Sequence, residues 1–133
     1  MNIIGGEKRG SKLALCASKA VRPTAQRTRE ALFNILQGGR FSLSLSEATV
    51  IDLFAGTGAI GLEALSRGAR SCVFVEQDQE ALQTLQANIS KLKLEDCAHI
   101  LAKDARQIHR WTGPRADLVF ADPPYSLSLI HIS

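Results

Sequence analysis

Four successive residues near the carboxyl end of the chain, Asp-Pro-Pro-Tyr at 122–125, could hold and activate an amine. Pro123 and Pro124 each fix φ, so the carbonyl of Pro123 points in a set direction. Asp122 adds an acceptor-only carboxylate, and Tyr125 offers a ring on which a base can stack. Together they could accept both hydrogens of an exocyclic amine and turn its lone pair towards an electrophile. We interpret Asp122, Pro123, Pro124 and Tyr125 as a catalytic segment, against the alternative of a proline-rich turn.

A second chemical signature lies at 50–61, where an apolar run ends in Asp52 and a glycine-rich turn follows. Gly56, Gly58 and Gly61 match the pattern G-x-G-x-x-G, and Glu76 follows at the spacing of a ribose-binding acid. Because glycine has no Cβ, such a loop lets the backbone approach a ligand closely. The pattern predicts a cofactor that contains a nucleoside.

Predicted strands alternate with predicted helices and would bring these groups to one edge. Apolar runs predict strands at 49–54, 71–75, 98–101 and 117–121. This alternation favours an α/β fold with a parallel, doubly wound sheet, in which ligands bind outside the carboxyl ends of the strands. Asp52, Glu76, Asp104 and residues 122–125 all fall at those ends. Asp104 could accept a hydrogen bond from an adenine amino group or could cap a helix.

Charge is distributed unevenly over the 133 residues, whose net charge is +3. Residues 1–40 contain eight basic and two acidic side chains, and the remainder is acidic overall. A basic arm joined to an acidic cofactor domain is what an enzyme acting on a polyanion needs. A solvated, lysine-rich terminus would give the same pattern.

Two predicted elements of the basic arm could face a polyanion. Residues 2–15 resemble a short hairpin with Lys8 and Arg9 in its turn. A helix is predicted after Pro23, and Arg22, Arg27 and Arg29 could form its anion-binding face. Its predicted buried stripe consists of Ala25, Thr28, Leu32, Ile35 and Leu36. Both elements could also be ordinary protein surface.

The remaining composition limits the class of protein. Hydrophobic residues make up 45% of the chain, which suits one domain with a modest core. No apolar run approaches the roughly 20 residues of a membrane span, and the N-terminus lacks a signal-peptide pattern. Cys16, Cys72 and Cys97 are scattered, and the three histidines show no ligand spacing. We therefore expect a cytoplasmic monomer with reduced thiols, no metal site and no membrane partner.

The two signatures together resemble a Rossmann-like, S-adenosylmethionine-dependent methyltransferase. Residues 50–61 resemble the first motif of that class, and 122–125 match the (Asp/Asn)-Pro-Pro-(Tyr/Phe) motif of its amino-methylating members. A longer set of positions, 3–6, 9–10, 22–24, 27, 29–30, 32–34 and 52–58, resembles the bacterial 16S ribosomal RNA (guanine-N2)-methyltransferase family, called RsmD. The resemblance covers about residues 2–125.

This resemblance implies methylation of the exocyclic N2 amine of one guanine in 16S ribosomal RNA, either free or in a 30S subunit or assembly intermediate. It implies that S-adenosylmethionine is held by Asp52, Ala55, Gly56, Thr57, Gly58, Glu76 and Asp104. It implies that RNA is held by Lys8, Arg9, Arg22, Arg27 and Arg29, and the guanine by Asp122, Pro123, Pro124 and Tyr125.

Three segments are expected along the chain. They are an RNA-facing basic arm at 1–40, a methyltransferase core at 41–125 and an atypical tail at 126–133. Because the tail departs from the family pattern after Tyr125, we expect a truncated chain that lacks the C-terminal strands of the sheet.

Two other functions are compatible with parts of the sequence. A nicotinamide-dependent oxidoreductase would explain the glycine pattern and Glu76, but it leaves residues 122–125 and the basic arm unexplained. A non-catalytic RNA-binding remnant would explain the arm and the atypical tail.

Overall fold

Four parallel strands form the centre of the computed structural model, which describes residues 1–15, 26–38, 45–108, 110–113 and 115–121. The strands are β1 (Thr49–Asp52), β2 (Ser71–Val75), β3 (Ala98–Leu101) and β4 (Leu118–Phe120). The helices are α1 (Gln26–Gln37), α2 (Ala59–Ser66) and α3 (Gln79–Leu92), with a 3-10 turn at Ala105–Gln107. None of the helices in these ranges has the length and apolar character needed to cross a membrane.

The sheet has the strand order β3-β2-β1-β4. Asp52, the last residue of β1, lies opposite Phe74 of β2 on one side and Phe120 of β4 on the other. The chain moves outward from β1 to β3 and then returns to the other side of β1, so the direction of winding reverses between β1 and β4. The predicted parallel, doubly wound arrangement is confirmed, and this reversal is where such sheets bind ligands.

The ends of α2 and α3 follow from local chemistry. Asp78 caps α3, because its Oδ2 accepts a hydrogen bond from the Ala81 N–H at 2.9 Å, as the sequence predicts. The chain leaves α2 through Gly68, whose φ of 111° lies in the left-handed region that glycine tolerates best. All eight residues of α2 are buried, so this helix runs through the middle of the core.

The two faces of the sheet are covered differently. The helices and the N-terminal segment pack on one face, where Ile3, Leu13 and Phe33 join Val50 and Phe74 in the main core. The opposite face contributes Ile51, Val73 and Val75 to a smaller cluster, which packs against Ile108, Trp111 and Ala116 from the segment after β3. The basic arm therefore shares its core with the sheet.

The predicted N-terminal hairpin is present. Asn2 and Lys12 form an antiparallel bridge, and the Ile3 N–H donates to the Ser11 carbonyl at 2.9 Å. The turn of the hairpin is attached to the end of α2, because the Lys8 N–H donates to Ser66 Oγ at 2.9 Å. Since α2 starts at the carboxyl end of β1 and runs back along the sheet, this turn lies at the amino edge of the strands.

The predicted buried stripe of α1 is partly wrong. Thr28 is exposed and Ile35 is 57% exposed, whereas Arg29 and Phe33 are completely buried. Leu32 and Leu36 are half-buried as expected, and Ala25 lies outside the described residues. The helix is rotated because the Arg29 guanidinium points into the core, where it meets a carboxylate that sequence spacing did not pair with it.

That carboxylate belongs to Glu63 of α2, which is 0% exposed. Its Oε1 lies 3.2 Å from Arg29 Nε and accepts the Ile4 N–H at 2.9 Å. Its Oε2 accepts the Gly5 N–H at 2.9 Å and Arg67 Nε at 2.8 Å. One buried side chain therefore joins the hairpin, α1 and α2, and we call this group the Glu63 cluster.

We expect Glu63→Gln to lower the free energy of unfolding by about 3 kcal/mol or more, because it leaves the buried Arg29 charge uncompensated and puts an N–H2 group against N–H donors. Burial already lowers the pKa of Arg29, and Glu63 opposes that shift. Urea unfolding followed by circular dichroism measures the loss. The matched control is Glu47→Gln, since Glu47 pairs with Arg70 at 2.8 Å on the surface and its loss should cost less than about 1 kcal/mol. Equal losses in the two variants would contradict the assigned role of Glu63.

Candidate functional site

The glycine loop connects β1 to α2 at the carboxyl edge of the sheet. Gly56 has a φ of 58° and Gly58 a φ of 91°, so both lie in the left-handed region. A Cβ at Gly58 would lie 2.4 Å from Leu85 Cδ1 of α3. The Ala55 N–H donates to the Val75 carbonyl at 3.0 Å, which ties the loop to β2. The loop is therefore held in one shape from both sides.

The side chains of this loop point into the protein. Asp52 is 2% exposed, and its Oδ2 accepts a hydrogen bond from the Gly61 N–H at 3.3 Å. Ala55 and Thr57 are also buried. The sequence predicts all of these as cofactor-binding residues; the structure places the Asp52 carboxylate where it fixes the start of α2. A ligand at the loop would meet mainly its backbone.

Glu76 closes the loop from the end of β2. Its Oε1 accepts the Gly56 N–H at 2.7 Å, and its Oε2 accepts the N–H groups of Gln77 at 3.0 Å and Asp78 at 2.9 Å. A carboxylate offers about four acceptor positions, so one remains after these three bonds. The half-buried Glu76 therefore fits a ribose hydroxyl while it also shapes the loop.

Asp104 follows β3 and caps the 3-10 turn, which was one of its two predicted roles. Its Oδ1 accepts the Arg106 N–H at 3.0 Å, and its two oxygens face the Arg106 guanidinium at 3.0 and 2.9 Å. These hydrogen bonds hold the pKa of Asp104 below its ordinary value. Its contact with an adenine amino group stays a prediction.

The predicted catalytic segment, residues 122–125, lies outside the described residues, but the strand that leads to it is described. Phe120 is the last residue of β4, and its carbonyl accepts the Leu53 N–H at 2.9 Å. β4 therefore delivers the chain to the carboxyl edge directly beside the glycine loop. Within the described residues, no group of three or more His, Cys, Asp or Glu side chains could hold a metal ion.

The predicted RNA-binding residues are separated in the structure. Arg27 is exposed on α1, and Arg22 lies outside the described residues. The prediction that Arg29 faces RNA is wrong, because its guanidinium is fully buried against Glu63. Lys8 and Arg9 lie at the amino edge of the strands, away from the glycine loop, so they do not border the candidate site.

Sequence reasoning missed Asn88, which is buried on α3. Its Nδ2 donates to the Thr57 carbonyl at 2.9 Å, and its Oδ1 accepts the Ala14 N–H at 2.8 Å. The amide therefore clamps the glycine loop to the N-terminal segment. The available signal was an amide beside the apolar stripe formed by Leu85, Ile89 and Leu92.

Comparison with known proteins places this geometry in context. Residues 1–132 match the family described as conserved hypothetical protein 95. The ribosomal RNA small subunit methyltransferase D of Escherichia coli K12 is 38% identical over 130 residues, which cover 98% of this chain and 63% of that protein. The protein of the same name from Haemophilus influenzae is 34% identical, over 97% of this chain and 66% of its own length. The chain thus spans about two thirds of the length of these relatives.

Solved structures agree with the fold. The Escherichia coli protein yhhF has a TM-score of 0.80 at 38% identity, over 98% of this chain and 67% of that one. A conserved hypothetical protein of Streptococcus pyogenes has a TM-score of 0.63 at 39% identity, over 73% and 57% of the two chains. The predicted Rossmann-like methyltransferase fold is confirmed.

Gly58→Ala should destabilise the protein more than Gly→Ala at a position with a similar φ where the added Cβ meets no neighbouring atom. We expect the added Cβ to force Leu85 out of place, at about 1–3 kcal/mol beyond the backbone cost. The control is Gly10→Ala, where φ is 84° and a Cβ would meet nothing within 4 Å. Urea unfolding of both variants separates the packing cost from the cost of the left-handed backbone. Identical losses would show that Leu85 does not brace the loop.

Proposed function

Because the chain belongs to the family described as conserved hypothetical protein 95, we propose that it methylates the exocyclic N2 amine of a guanine in 16S ribosomal RNA, with S-adenosylmethionine as donor. The observation that carries the proposal is the position of the glycine loop beside the end of β4 at Phe120, since Asp-Pro-Pro-Tyr starts two residues later in the sequence. Two relatives named as small-subunit ribosomal RNA methyltransferases support the substrate class.

The loop region fits the proposed cofactor. We assign the ribose hydroxyls to the remaining acceptor position of Glu76, the adenine amino group to Asp104, and the amino-acid part to the backbone between Ala55 and Gly58. The N-terminus of α2 points at the same place, and a helix N-terminus favours a carboxylate. When bound, S-adenosylmethionine supplies an electrophilic methyl group on a positively charged sulfur. That charge suits an edge that carries Glu76 and Asp104.

The catalytic segment is proposed to present the amine. The Asp122 carboxylate and the Pro123 carbonyl accept the two N–H bonds, and Tyr125 stacks on the guanine. The nitrogen lone pair would then face the methyl group that bound S-adenosylmethionine supplies. Transfer of that group as a methyl cation would leave the electron pair on the sulfur, and the nitrogen would release one proton to solvent. Alignment of the two reactants supplies much of the rate.

The RNA substrate would be 16S ribosomal RNA, free or within a 30S subunit or assembly intermediate, and the enzyme would act as a cytoplasmic monomer. The arginines near the amino end of α1 are proposed to meet it, with Arg27 the exposed member among the described residues. Arg29 is not part of this proposal, since it supports α1 from inside.

Calorimetry tests the cofactor. We expect the chain to bind S-adenosylmethionine and not NAD, and Glu76→Gln to weaken that binding about tenfold or more, because it replaces a charged acceptor and disturbs the bond to Gly56. The matched control is Glu80→Gln, an exposed acid in the first turn of α3 that should leave the affinity unchanged. Binding of NAD without binding of S-adenosylmethionine would refute the assignment.

Methyl transfer tests the reaction. With labelled S-adenosylmethionine and 16S ribosomal RNA that lacks the modification, N2-methylguanine should form. We expect Asp122→Ala to lower kcat at least about 100-fold, in line with the loss of one positioned polar group from an active site, with cofactor affinity retained. Asp117→Ala serves as the control, because Asp117 lies at the amino end of β4 and accepts the Thr49 N–H at 2.9 Å. Recovery of the methyl label in another nucleoside would overturn the assignment of guanine N2 as the methylated atom.

A further inference from the structure

A groove of about 870 Å³ lies on the less covered face of the sheet, between β2, β3 and the segment after β3. Val73 and His99 form part of its floor, and residues 102–104 and 110–113 form part of its wall. Its size falls within the range of sites that hold nucleotide-sized ligands. It reaches the carboxyl edge at Gln77 and Asp104, so it starts beside the proposed cofactor acids and continues down the face of the sheet.

The chemistry of this groove differs from that of the cofactor loop. Lys103 and Arg110 line it with exposed cationic side chains, and the half-buried Trp111 adds an indole ring. Gln77 and Gln107 add exposed amides. Asp104, which also lines the groove, is paired with Arg106 at 2.9 Å, so its negative charge is compensated. Clustered cations, an aromatic ring and amides are the groups that contact phosphates, stack on bases and read base edges.

We propose that this groove binds the RNA strand that flanks the target nucleotide. Lys103 and Arg110 pair with backbone phosphates, and Trp111 supports an unstacked base. The inference rests on the proposed function and gives its RNA a second contact surface. This surface meets the reaction edge directly, whereas the Lys8–Arg9 turn is bonded to Ser66 at the other end of α2.

The charges favour RNA over the cofactor as the occupant. S-adenosylmethionine carries a positive sulfonium, which two exposed cations would repel, and its adenine end needs to reach only Asp104 at the rim. A polyanion gains from both cations and releases counterions when it binds. The groove and the α1 surface then lie on opposite faces of the sheet, so the RNA crosses the carboxyl edge between them.

The test compares two double variants in direct binding to an unmodified 16S ribosomal RNA transcript. We expect Lys103→Gln/Arg110→Gln to weaken RNA binding about tenfold or more and to reduce the slope of log affinity against log salt by about 1.5. The KM for RNA should rise while kcat and the affinity for S-adenosylmethionine stay within about twofold. The charge-matched control, Lys91→Gln/Lys93→Gln at the exposed C-terminal end of α3, should change RNA affinity by less than about threefold.

A second variant tests the indole. Trp111→Leu should weaken RNA binding about tenfold, and Trp111→Phe should restore most of it, since phenylalanine keeps a ring for stacking. Thermal melting of each variant shows whether weaker RNA binding comes from a lost contact or from a loss of folding. If Trp111→Leu is unfolded, the Lys103→Gln/Arg110→Gln variant decides the test.

Three outcomes would overturn the proposal. The first is that the wild-type chain does not bind RNA. The second is that the groove and control variants lose equal RNA affinity. The third is a tenfold loss of S-adenosylmethionine affinity in Lys103→Gln/Arg110→Gln, which would assign the groove to the cofactor. RNA binding that depends on Lys103 and Arg110 without methyl transfer would support the groove and refute the proposed reaction. The two proposals can therefore fail separately.

Discussion

A single buried carboxylate, that of Glu63, determines how the N-terminal segment is attached to the sheet. Burial of a charge costs several kcal/mol, and the cost is offset here by two arginines and two backbone N–H groups. Arg67, one of those arginines, also lies over the Phe33 ring at 4.9 Å from its centroid, and the Phe33 and Phe120 centroids are 5.7 Å apart. A continuous set of contacts therefore runs from the hairpin to β4, the strand that leads to Asp122.

At the glycine loop, buried and half-buried carboxylates hold backbone N–H groups in place and so fix the shape of the loop. Asp52 fixes the first turn of α2 from within the core, and Glu76 holds Gly56 from the neighbouring strand. Asn88 and Leu85 of α3 brace the same loop from the helical side. Because so many contacts define the loop before any ligand binds, little ordering remains to be done on binding, and this preorganisation favours affinity.

Much of the framework could be predicted because it depends on local signals. The bounds of β2 and β3, the Asp78 cap and the left-handed Gly68 all follow from apolar runs and from the chemistry of helix ends. The burial of Arg29 could not be predicted from local signals. An arginine in a helix is expected on the surface unless its buried partner is known, and that partner, Glu63, lies 34 positions away. The location of the Lys8–Arg9 turn also depends on a distant contact, the hydrogen bond to Ser66. The hydrogen bond from Asn88 to the Thr57 carbonyl joins residues that are equally distant from local sequence signals.

The shared core of the arm and the sheet has a mechanical consequence. Ile3, Leu13 and Phe33 are packed among residues of the strands and of α2, so the described parts of the arm have no interface of their own along which to swing. In the proposed reaction the protein would then act as a fixed platform, and the nucleic acid would have to change shape. The target guanine would need to be extruded from its stack, at a cost of a few kcal/mol that is smallest for an unpaired base. A rigid protein would in this way select an RNA site that opens easily.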